Sequence, residues 1–272
     1  MYFLISIWGS GNRVYSAWKY VLYTFFGSAF MLVGILTLGF TAGTFDIREL
    51  AAIGPIEGAI IPAWAIFGLI ITAFLIKLPV VPMHTWLPDA HTDAPTAVSV
   101  MLAGVLLKMG GYGVLRMTFT IMPDVANDAS MWLAILAATS IMYGAVMTLI
   151  QKDLKRLIAY SSVSHMGYVL LGLACLNAVS LNGAVLLMFA HGVMTALAFA
   201  AVGHIYDQTH TRQVAEWGGL AKQIPFISTV FIMSALASSG LPGFANFVAE
   251  LLVFFGAWNS YRITALAAIF GI

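Results

Sequence analysis

The sequence has few charged residues and very little cysteine. Only 8% of its 272 residues are charged, against about 25% in ordinary soluble domains, which is too few to cover a water-exposed surface. The net charge of +1 excludes the strongly basic surface of a nucleic-acid-binding protein. Cys175 is the only cysteine, so a disulfide scaffold, an iron–sulfur site and a CxxCH haem attachment are also excluded.

Long runs of apolar residues make up most of the sequence. The chain is 61% hydrophobic, with a mean hydropathy of +0.95, and about 20 apolar residues suffice for a helix to cross a bilayer. The runs do not alternate as barrel strands would, so we predict an all-α polytopic membrane protein, with residues 1–272 as a single transmembrane domain. The predicted spans are 18–41, 62–81, 95–122, 131–150, 157–176, 182–206 and 226–258.

Both ends of the sequence are predicted to be partial spans. Residues 1–8, MYFLISIW, lack the basic region and cleavage site of a signal peptide, and eight residues are too few to cross. The final stretch ITALAAIFGI has the pattern of a helix cut short. We therefore expect the sequence to be a fragment of a longer protein.

Charged residues in alternate loops predict the orientation. The positive-inside rule places basic loops in the cytoplasm, and the run QKDLKR at 151–156 is interpreted as a solvated turn on that side. The basic side is predicted to carry Arg13, Lys19, Lys152, Lys155, Arg156, Arg212 and Lys222. The opposite side is predicted to carry Asp46, Arg48, Glu49, Glu57, Asp124, Asp128 and Arg262.

Lys77, Lys108 and Glu250 fall inside predicted spans rather than in loops. Lys108 lies roughly 20 Å along the helix axis from either end of its span, at 1.5 Å per residue, too far for its side chain to reach the interface. Each such charge costs about 2.5–3.5 kcal/mol on insertion. A structural ion pair between helices is one explanation; we favour the other, an ion or proton path.

Prolines stand beside two of these charges. Lys77 is followed by Pro79 and Pro82, and Glu250 follows Pro242 in the stretch SSGLPG. A proline removes a backbone donor and frees the carbonyl four residues earlier, which a membrane tolerates where protein or water satisfies it. Either break alone could be a packing kink, but a pair of broken helices, each with its own charge, favours a transport site.

Two histidines, His165 and His191, lie in the middle of successive predicted spans. Imidazole accepts and donates protons near neutral pH, which suits a proton relay. A hydrogen bond between helices is an alternative, and a bis-histidine haem is a weaker one because nothing else marks a cofactor. The remaining histidines, at span ends or in loops, are interpreted as interfacial: His84, His91, His204 and His210.

The stretch KLPVVPMHTWLPDAHTDAPTAVSVMLAGVLLKMGGYGVLRM, residues 77–117, resembles the signature of the antiporter-like proton-channel subunits of respiratory complex I. The stretches QKDLKRLIAYSSVSHMGYVLLG, FAHGVMTALAFAAVGHIYDQTHTR and LPGFANFVAELLVFFG are similar to the same family. The resemblance is nearly continuous from residue 1 to about residue 256. It is strongest to the M-type branch, because Glu250 stands where N- and L-type relatives usually have lysine.

The resemblance implies an antiporter-like inverted-repeat helix bundle with two broken transmembrane helices. It also assigns roles: Lys77 gains and loses a proton, Lys108 is the central connecting lysine, His165 and His191 are relay groups, and Glu250 is the exit-side carboxylate. The family's partner glutamate for the first lysine would precede residue 1. This fragment alone is therefore not expected to translocate protons.

The resemblance also implies a function, a location and partners. The expected function is proton translocation in an NADH:quinone oxidoreductase, driven by electron transfer elsewhere in the complex, in a prokaryotic plasma membrane. The expected partners are other membrane subunits, including neighbouring antiporter-like ones, and no cofactor or metal is expected in this chain. The alternatives are a subunit of a multi-subunit Na+/H+ antiporter, which shares the KxPxxxxHxWLPDAH block, and a membrane subunit of an energy-converting hydrogenase.

Overall fold

A computed structural model describes residues 1–54 and 61–271, so Glu57 lies outside the described residues. Helices make up nearly all of this part of the chain, in agreement with the predicted all-α fold. The helices are α1 (Tyr2–Trp8), α2 (Arg13–Ala42), α3 (Ile47–Ile53), α4 (Ala63–Lys77), α5 (Trp86–Asp93), α6 (Thr96–Met101), α7 (Leu107–Gly113), α8 (Pro123–Leu149), α9 (Leu154–Ala174), α10 (Ala178–Thr209), α11 (Leu220–Gln223), α12 (Pro225–Ser238), α13 (Ala245–Ser260) and α14 (Arg262–Ile269).

Long apolar helices account for the predicted spans. Within the described residues, five helices are long and apolar enough to cross a membrane, and α4 and α12 are shorter apolar helices. The five are Arg13–Ala42, Thr96–Phe119, Pro123–Leu149, Leu154–Ala174 and Ala178–Thr209. Helix α8 begins at Pro123, before the predicted span 131–150, with Pro123 and Asp124 in its first turn, as expected of a helix N-terminus.

The first predicted helix break is present between α4 and α5. Pro79 has no N–H for the Leu75 carbonyl, which instead accepts a bond from the Val80 N–H at 3.1 Å. The next carbonyl, that of Ile76, accepts from the indole N–H of Trp86 at 2.9 Å. The break is therefore satisfied by groups of the protein itself, as non-helical backbone at membrane depth requires.

The second predicted break is present between α12 and α13. Two glycines in this stretch, Gly240 and Gly243, have φ values of +63° and +111°, a region in which side chains other than hydrogen are strained. Pro242 lies between them, where α12 has already ended. The sequence SSGLPG thus ends one helix and turns the chain before the next one begins.

Helix α9 is the central element of the bundle. It is the most buried of the five long helices and packs against α5, α8, α10 and α13. Its contact with α8 is close: a Cβ on Gly144 would lie 2.5 Å from the Ser164 nitrogen. This packing buries His165, the residue that follows Ser164.

Loops that were predicted to be basic meet at one end of the bundle, which we call the basic face. The Ser10 N–H donates to the Asp93 carbonyl at 2.8 Å, which joins the loop before α2 to the end of α5. Arg212 Nε lies 3.2 Å from Asp153 Oδ2, which joins the segment after α10 to the start of α9. The predicted grouping of these loops agrees with the structure, and their assignment to the cytoplasm stays a prediction.

The other loops meet at the opposite end. The Ser130 and Tyr261 hydroxyls lie 2.6 Å apart, and the Asn177 side-chain amide donates to Ser260 Oγ at 3.1 Å. These contacts join the early part of α8 to the start of α14, and the start of α10 to the end of α13. The long helices therefore cross between two distinct ends.

Candidate functional site

Four polar side chains from different helices converge inside the bundle. Lys108 Nζ, on α7, lies 2.8 Å from His191 Nδ1 on α10. The rings of His191 and His165, on α9, have centroids 5.1 Å apart. His165 Nε2 lies 3.6 Å from Glu250 Oε1 on α13. We call these four residues the central polar series.

A stretch of π-helix sets the position of Lys108. The helix switches to π geometry over Leu102–Leu106, where the Leu107 N–H bonds five residues back to the Leu102 carbonyl. Lys108 Nζ donates to the nearby Ala103 carbonyl as well as facing His191. The partly buried ammonium thus has two acceptors for its three N–H groups, and π-turns of this kind are frequent at functional sites.

His165 lies between the second helix break and Glu250. Its Nδ1 is 2.7 Å from the Ser161 carbonyl, and its Nε2 is 3.1 Å from the Ser238 carbonyl. Ser238 is the last residue of α12, so its carbonyl is one of those that a helix C-terminus leaves without an intrahelical partner. The broken helix therefore supplies an acceptor directly to the imidazole.

Glu250 is 3% exposed and faces the bundle interior. Asn246, four residues earlier on α13, is 2% exposed and its amide nitrogen has no hydrogen-bond partner among the described residues. Residues four apart share one helix face, so Asn246 extends the polar surface around Glu250. Sequence reasoning missed Asn246, although the spacing of two polar residues in an apolar helix could have indicated it.

Lys77 is next to this region but outside the series. It ends α4, and a Cβ on Gly110 of α7 would lie 3.1 Å from the Lys77 carbonyl carbon. The Lys77 backbone therefore packs on α7 at Gly110, two residues after Lys108 in the sequence. Within residues 1–54 and 61–271, its side chain forms no hydrogen bond or ion pair, and its predicted role remains a prediction.

Two histidines interpreted as interfacial are instead buried in protein. His84 is 4% exposed and packs edge-on against Tyr143, and His91 is fully buried and stacks on Phe199. The interpretation was wrong because it used distance along the chain, whereas α5 folds back among α2, α9 and α10. His204 and His210 are exposed, as expected.

The burial of Lys155 also contradicts the prediction that this residue is part of a solvated turn. It is 4% exposed, and its Nζ donates to the Ala94 carbonyl at 2.8 Å. The neighbouring Lys152 is exposed, so the run QKDLKR is only partly solvated. Lys155 is buried because α9 begins at Leu154 and its first turn packs against the end of α5.

A close approach of two helices holds Lys108 against His191. A Cβ on Gly192 would lie 2.8 Å from the Gly104 carbonyl oxygen and 3.4 Å from Lys108 Cε. We expect Gly192→Ala to push these helices apart and to slow proton transfer about tenfold or more, since small displacements of reacting groups are costly. The measurement is the rate of proton translocation by membrane vesicles that contain the variant.

Gly104→Ala is the matched control for this prediction. A Cβ on Gly104 would meet its nearest neighbour, the Ala196 Cβ, at 3.5 Å, which is an ordinary contact, so wild-type rates are expected. Equal rates for the two alanine variants would contradict a role for the Gly192 contact in positioning Lys108.

Comparison with known proteins gives consistent matches. The family described as NADH:quinone oxidoreductase/Mrp antiporter, TM matches residues 1–272. Subunit M of the Rickettsia prowazekii NADH-quinone oxidoreductase is 41% identical over 275 residues, covering 100% of this chain and 55% of the relative. NAD(P)H-quinone oxidoreductase chain 4 2 of Thermosynechococcus vestitus is 45% identical over 260 residues, covering 96% of this chain and 49% of the relative. The chain thus spans about half the length of these relatives.

Solved structures agree with the sequence matches. A chain of respiratory complex I from Thermus thermophilus superimposes with a TM-score of 0.93 at 32% identity, covering 99% of this chain and 58% of that one. A chain of the Mrp complex from Dietzia sp. gives a TM-score of 0.87 at 26% identity, covering 95% and 48%. The helical membrane fold and these matches together show that the chain belongs to the family of transmembrane subunits of NADH:quinone oxidoreductases and Mrp antiporters.

Proposed function

We propose that this chain is a proton-translocating membrane part of an NADH:quinone oxidoreductase in a bacterial plasma membrane. The observation that carries the proposal is the central polar series, in which Lys108, His191, His165 and Glu250 are neighbours inside an apolar bundle. Uncompensated ionisable groups are costly in a membrane and commonly mark proton paths. The chain's relatives in Rickettsia and Thermosynechococcus, named as parts of such oxidoreductases, support the assignment.

The contact between Lys108 and His191 is suited to proton transfer. Lys108 Nζ and His191 Nδ1 are 2.8 Å apart, so one of them donates the proton and the other accepts it. When Lys108 is an ammonium, His191 Nδ1 must be the acceptor, and moving this proton leaves a neutral amine and an imidazolium. A proton can therefore pass from α7 to α10 without large movement of either side chain.

His165 is arranged to receive a proton and pass it on. A neutral imidazole has one N–H and can donate to one carbonyl only, whereas an imidazolium has two. Both ring nitrogens face carbonyls, those of Ser161 and Ser238. When His165 is protonated, its ring can therefore donate a second hydrogen bond. Glu250, 3.6 Å from Nε2, is the next acceptor in the direction of α13.

The two helix breaks flank this path in the proposal. The end of α12 provides the free Ser238 carbonyl for His165, and Pro79 and Pro82 interrupt the first broken helix just after Lys77. We assign Lys77 to the loading end of the path, where the packing of its backbone on α7 supports the assignment. Electron transfer in other subunits would drive the protonation changes, and neighbouring antiporter-like subunits would be the membrane partners.

A multi-subunit Na+/H+ antiporter is the second candidate function. The TM-score of 0.87 and identity of 26% with a chain of the Dietzia Mrp complex favour it, since the same polar series could couple protons to sodium. The two functions differ in their ion requirement. An oxidoreductase of the proposed kind translocates protons without sodium, whereas an antiporter needs it.

The experiment compares the variants His191→Met and His204→Met. Both histidines are on α10, but only His191 belongs to the central polar series. Inside-out vesicles containing the native complex are energised with NADH, and acidification is followed with a pH-sensitive dye, with sodium or with choline as the cation. We expect His191→Met to lower acidification per NADH oxidised and His204→Met to leave it unchanged, in both salts. Acidification that falls in sodium relative to choline, as exchange of internal protons for sodium would cause, would favour the antiporter, and unchanged acidification in His191→Met would contradict the proposed path.

A further inference from the structure

The first helix break is bonded to α8 through one backbone N–H group. The Val81 N–H donates to the Ser140 hydroxyl oxygen at 2.8 Å, and Ser140 is completely buried on α8. The other N–H groups of residues 78–83 donate to carbonyls of α4 or of the same segment. Val81 is four residues after Lys77. Ser140 is therefore the acceptor by which α8 holds the backbone of this break.

The next residue of α8 is bonded to α9. The Ile141 carbonyl accepts a hydrogen bond from the Ser164 hydroxyl at 3.1 Å, and Ser164 directly precedes His165 of the central polar series. Ser140, Ile141 and Ser164 are all buried, where a hydrogen bond is electrostatically stronger than in water. Two adjacent residues of α8 thus join the break after Lys77 to the part of α9 that carries His165.

Close packing around these two bonds makes α8 and α9 a rigid pair. A Cβ on Gly144 would lie 2.5 Å from the Ser164 nitrogen, and a Cβ on Gly167 would lie 3.0 Å from the Ile141 nitrogen. Small residues let helix backbones approach this closely in membranes, and tightly packed interiors transmit displacements because they are hard to compress. A shift of α8 at Ser140 would therefore reach Ser164.

We propose that Ser140 is a positioning residue for proton transfer, through which α8 holds the first helix break in a fixed position relative to His165. The inference rests on the proposed function and adds a link between Lys77, at the loading end, and the central polar series. Ser164 completes the link on α9. Neither serine carries a proton itself, and each acts through the group that it holds.

The position of α9 matters because His165 bonds to two different helices. Its Nδ1 lies 2.7 Å from the carbonyl of Ser161 on α9 itself, and its Nε2 lies 3.1 Å from the carbonyl of Ser238 at the end of α12. Nε2 is also 3.6 Å from Glu250 Oε1 on α13. Proton transfer needs heavy atoms within about 2.6–3.2 Å of each other. A displacement at Ser164 would change the separations from α12 and α13 on which transfer depends.

Local stabilisation of the bundle is the alternative role that the test must separate. Removal of the Ser140 hydroxyl leaves the Val81 N–H without its acceptor, and a buried donor without a partner is destabilising in itself. A defect in stability reduces the amount of assembled complex, so NADH oxidation and proton translocation fall together. A defect in position instead lowers the number of protons translocated per NADH oxidised. The ratio of these two rates therefore distinguishes the two roles.

The experiment measures this ratio for Ser140→Ala, in inside-out vesicles that contain the native complex. Thr139→Ala is the matched control, because Thr139 is exposed and its hydroxyl donates to the Leu136 carbonyl of its own helix. We expect Ser140→Ala to lower proton translocation through this chain about tenfold, since small displacements of reacting groups are costly. Its ratio should approach that of Lys108→Ala, and Thr139→Ala should match the wild type. A wild-type ratio in Ser140→Ala would overturn the inference.

A second variant, Ser164→Ala, decides the case in which Ser140→Ala does not accumulate in the membrane. The Ile141 carbonyl lies inside α8 and keeps its intrahelical partner, the N–H four residues later. Ser164→Ala therefore leaves no buried carbonyl unpaired and should fold. A lowered ratio of protons to NADH in Ser164→Ala supports the inference, and a wild-type ratio overturns it.

Lys108→Ala, measured in parallel, separates failure of this inference from failure of the proposed function. If Lys108→Ala lowers the ratio while the two serine variants match the wild type, only the role of α8 is wrong. If Lys108→Ala also gives a wild-type ratio, the proposed function itself fails.

Discussion

Replacing Lys108 with alanine is expected to abolish proton translocation through this chain while the complex remains assembled. The variant removes the donor to His191 and leaves a gap between that histidine and any group that supplies protons. Positioned proton donors contribute about a hundredfold or more to transfer rates. The measurement is the ratio of protons translocated to NADH oxidised, in vesicles whose content of the complex is checked by gel electrophoresis.

Assembly should survive because alanine removes a charge that is costly inside a membrane and is a good helix former. Lys222→Ala is the matched control, since Lys222 is an exposed lysine of the short helix α11. Its ratio should equal that of the wild type. A normal proton-to-electron ratio in the Lys108→Ala variant would show that the relay assignment is wrong.

Glu250 is expected to show a graded response to substitution. Glu250→Gln keeps the size of the side chain but cannot bind or release a proton, so we expect a loss of proton translocation comparable with that of Lys108→Ala. Glu250→Asp keeps the carboxylate and should retain part of the activity, because one methylene fewer lengthens the 3.6 Å separation from His165. The same vesicle assay measures both variants.

Glu49→Gln controls for the change of a carboxylate to an amide, since Glu49 is exposed on the short helix α3. It should translocate protons at the wild-type rate. If Glu250→Gln and Glu250→Asp both matched the wild type as well, Glu250 would have a packing role only, and the proposed path would end at His165.

The helices and their two breaks could be predicted because their causes are local. Hydropathy over about 20 residues determines which segments enter a bilayer, and proline acts on a carbonyl four residues away. The break beside Pro242 was predicted in the same way, but the structure ends α12 at Ser238, before the proline, and this helix end leaves the Ser238 carbonyl free for His165. Depth within a span is also local information, so Lys77, Lys108, His165, His191 and Glu250 could be grouped before their contacts were known. The structure joins the last four of them.

The parts that could not be predicted depend on packing between distant segments. His91 and Lys155 are near span ends in the sequence, and they are buried by the packing of α5 against α9 and of His91 on Phe199 of α10. The π-turn over Leu102–Leu106 offers the Ala103 carbonyl to Lys108, and no residue pattern in LAGVL indicates it. Packing of this kind, rather than the identity of the residues, decides which polar groups become neighbours.

The central claim is that one continuous path joins Lys108 to Glu250. The most direct test combines His191→Gln with Glu250→Asp. The rate of proton translocation is measured for each single variant and for the double variant. If the two residues act in series on one path, the slower step limits the rate, and the double variant should be within about twofold of the slower single variant. If they contribute independently, their free-energy effects add and the two losses in rate multiply. A multiplied loss would contradict the continuous path.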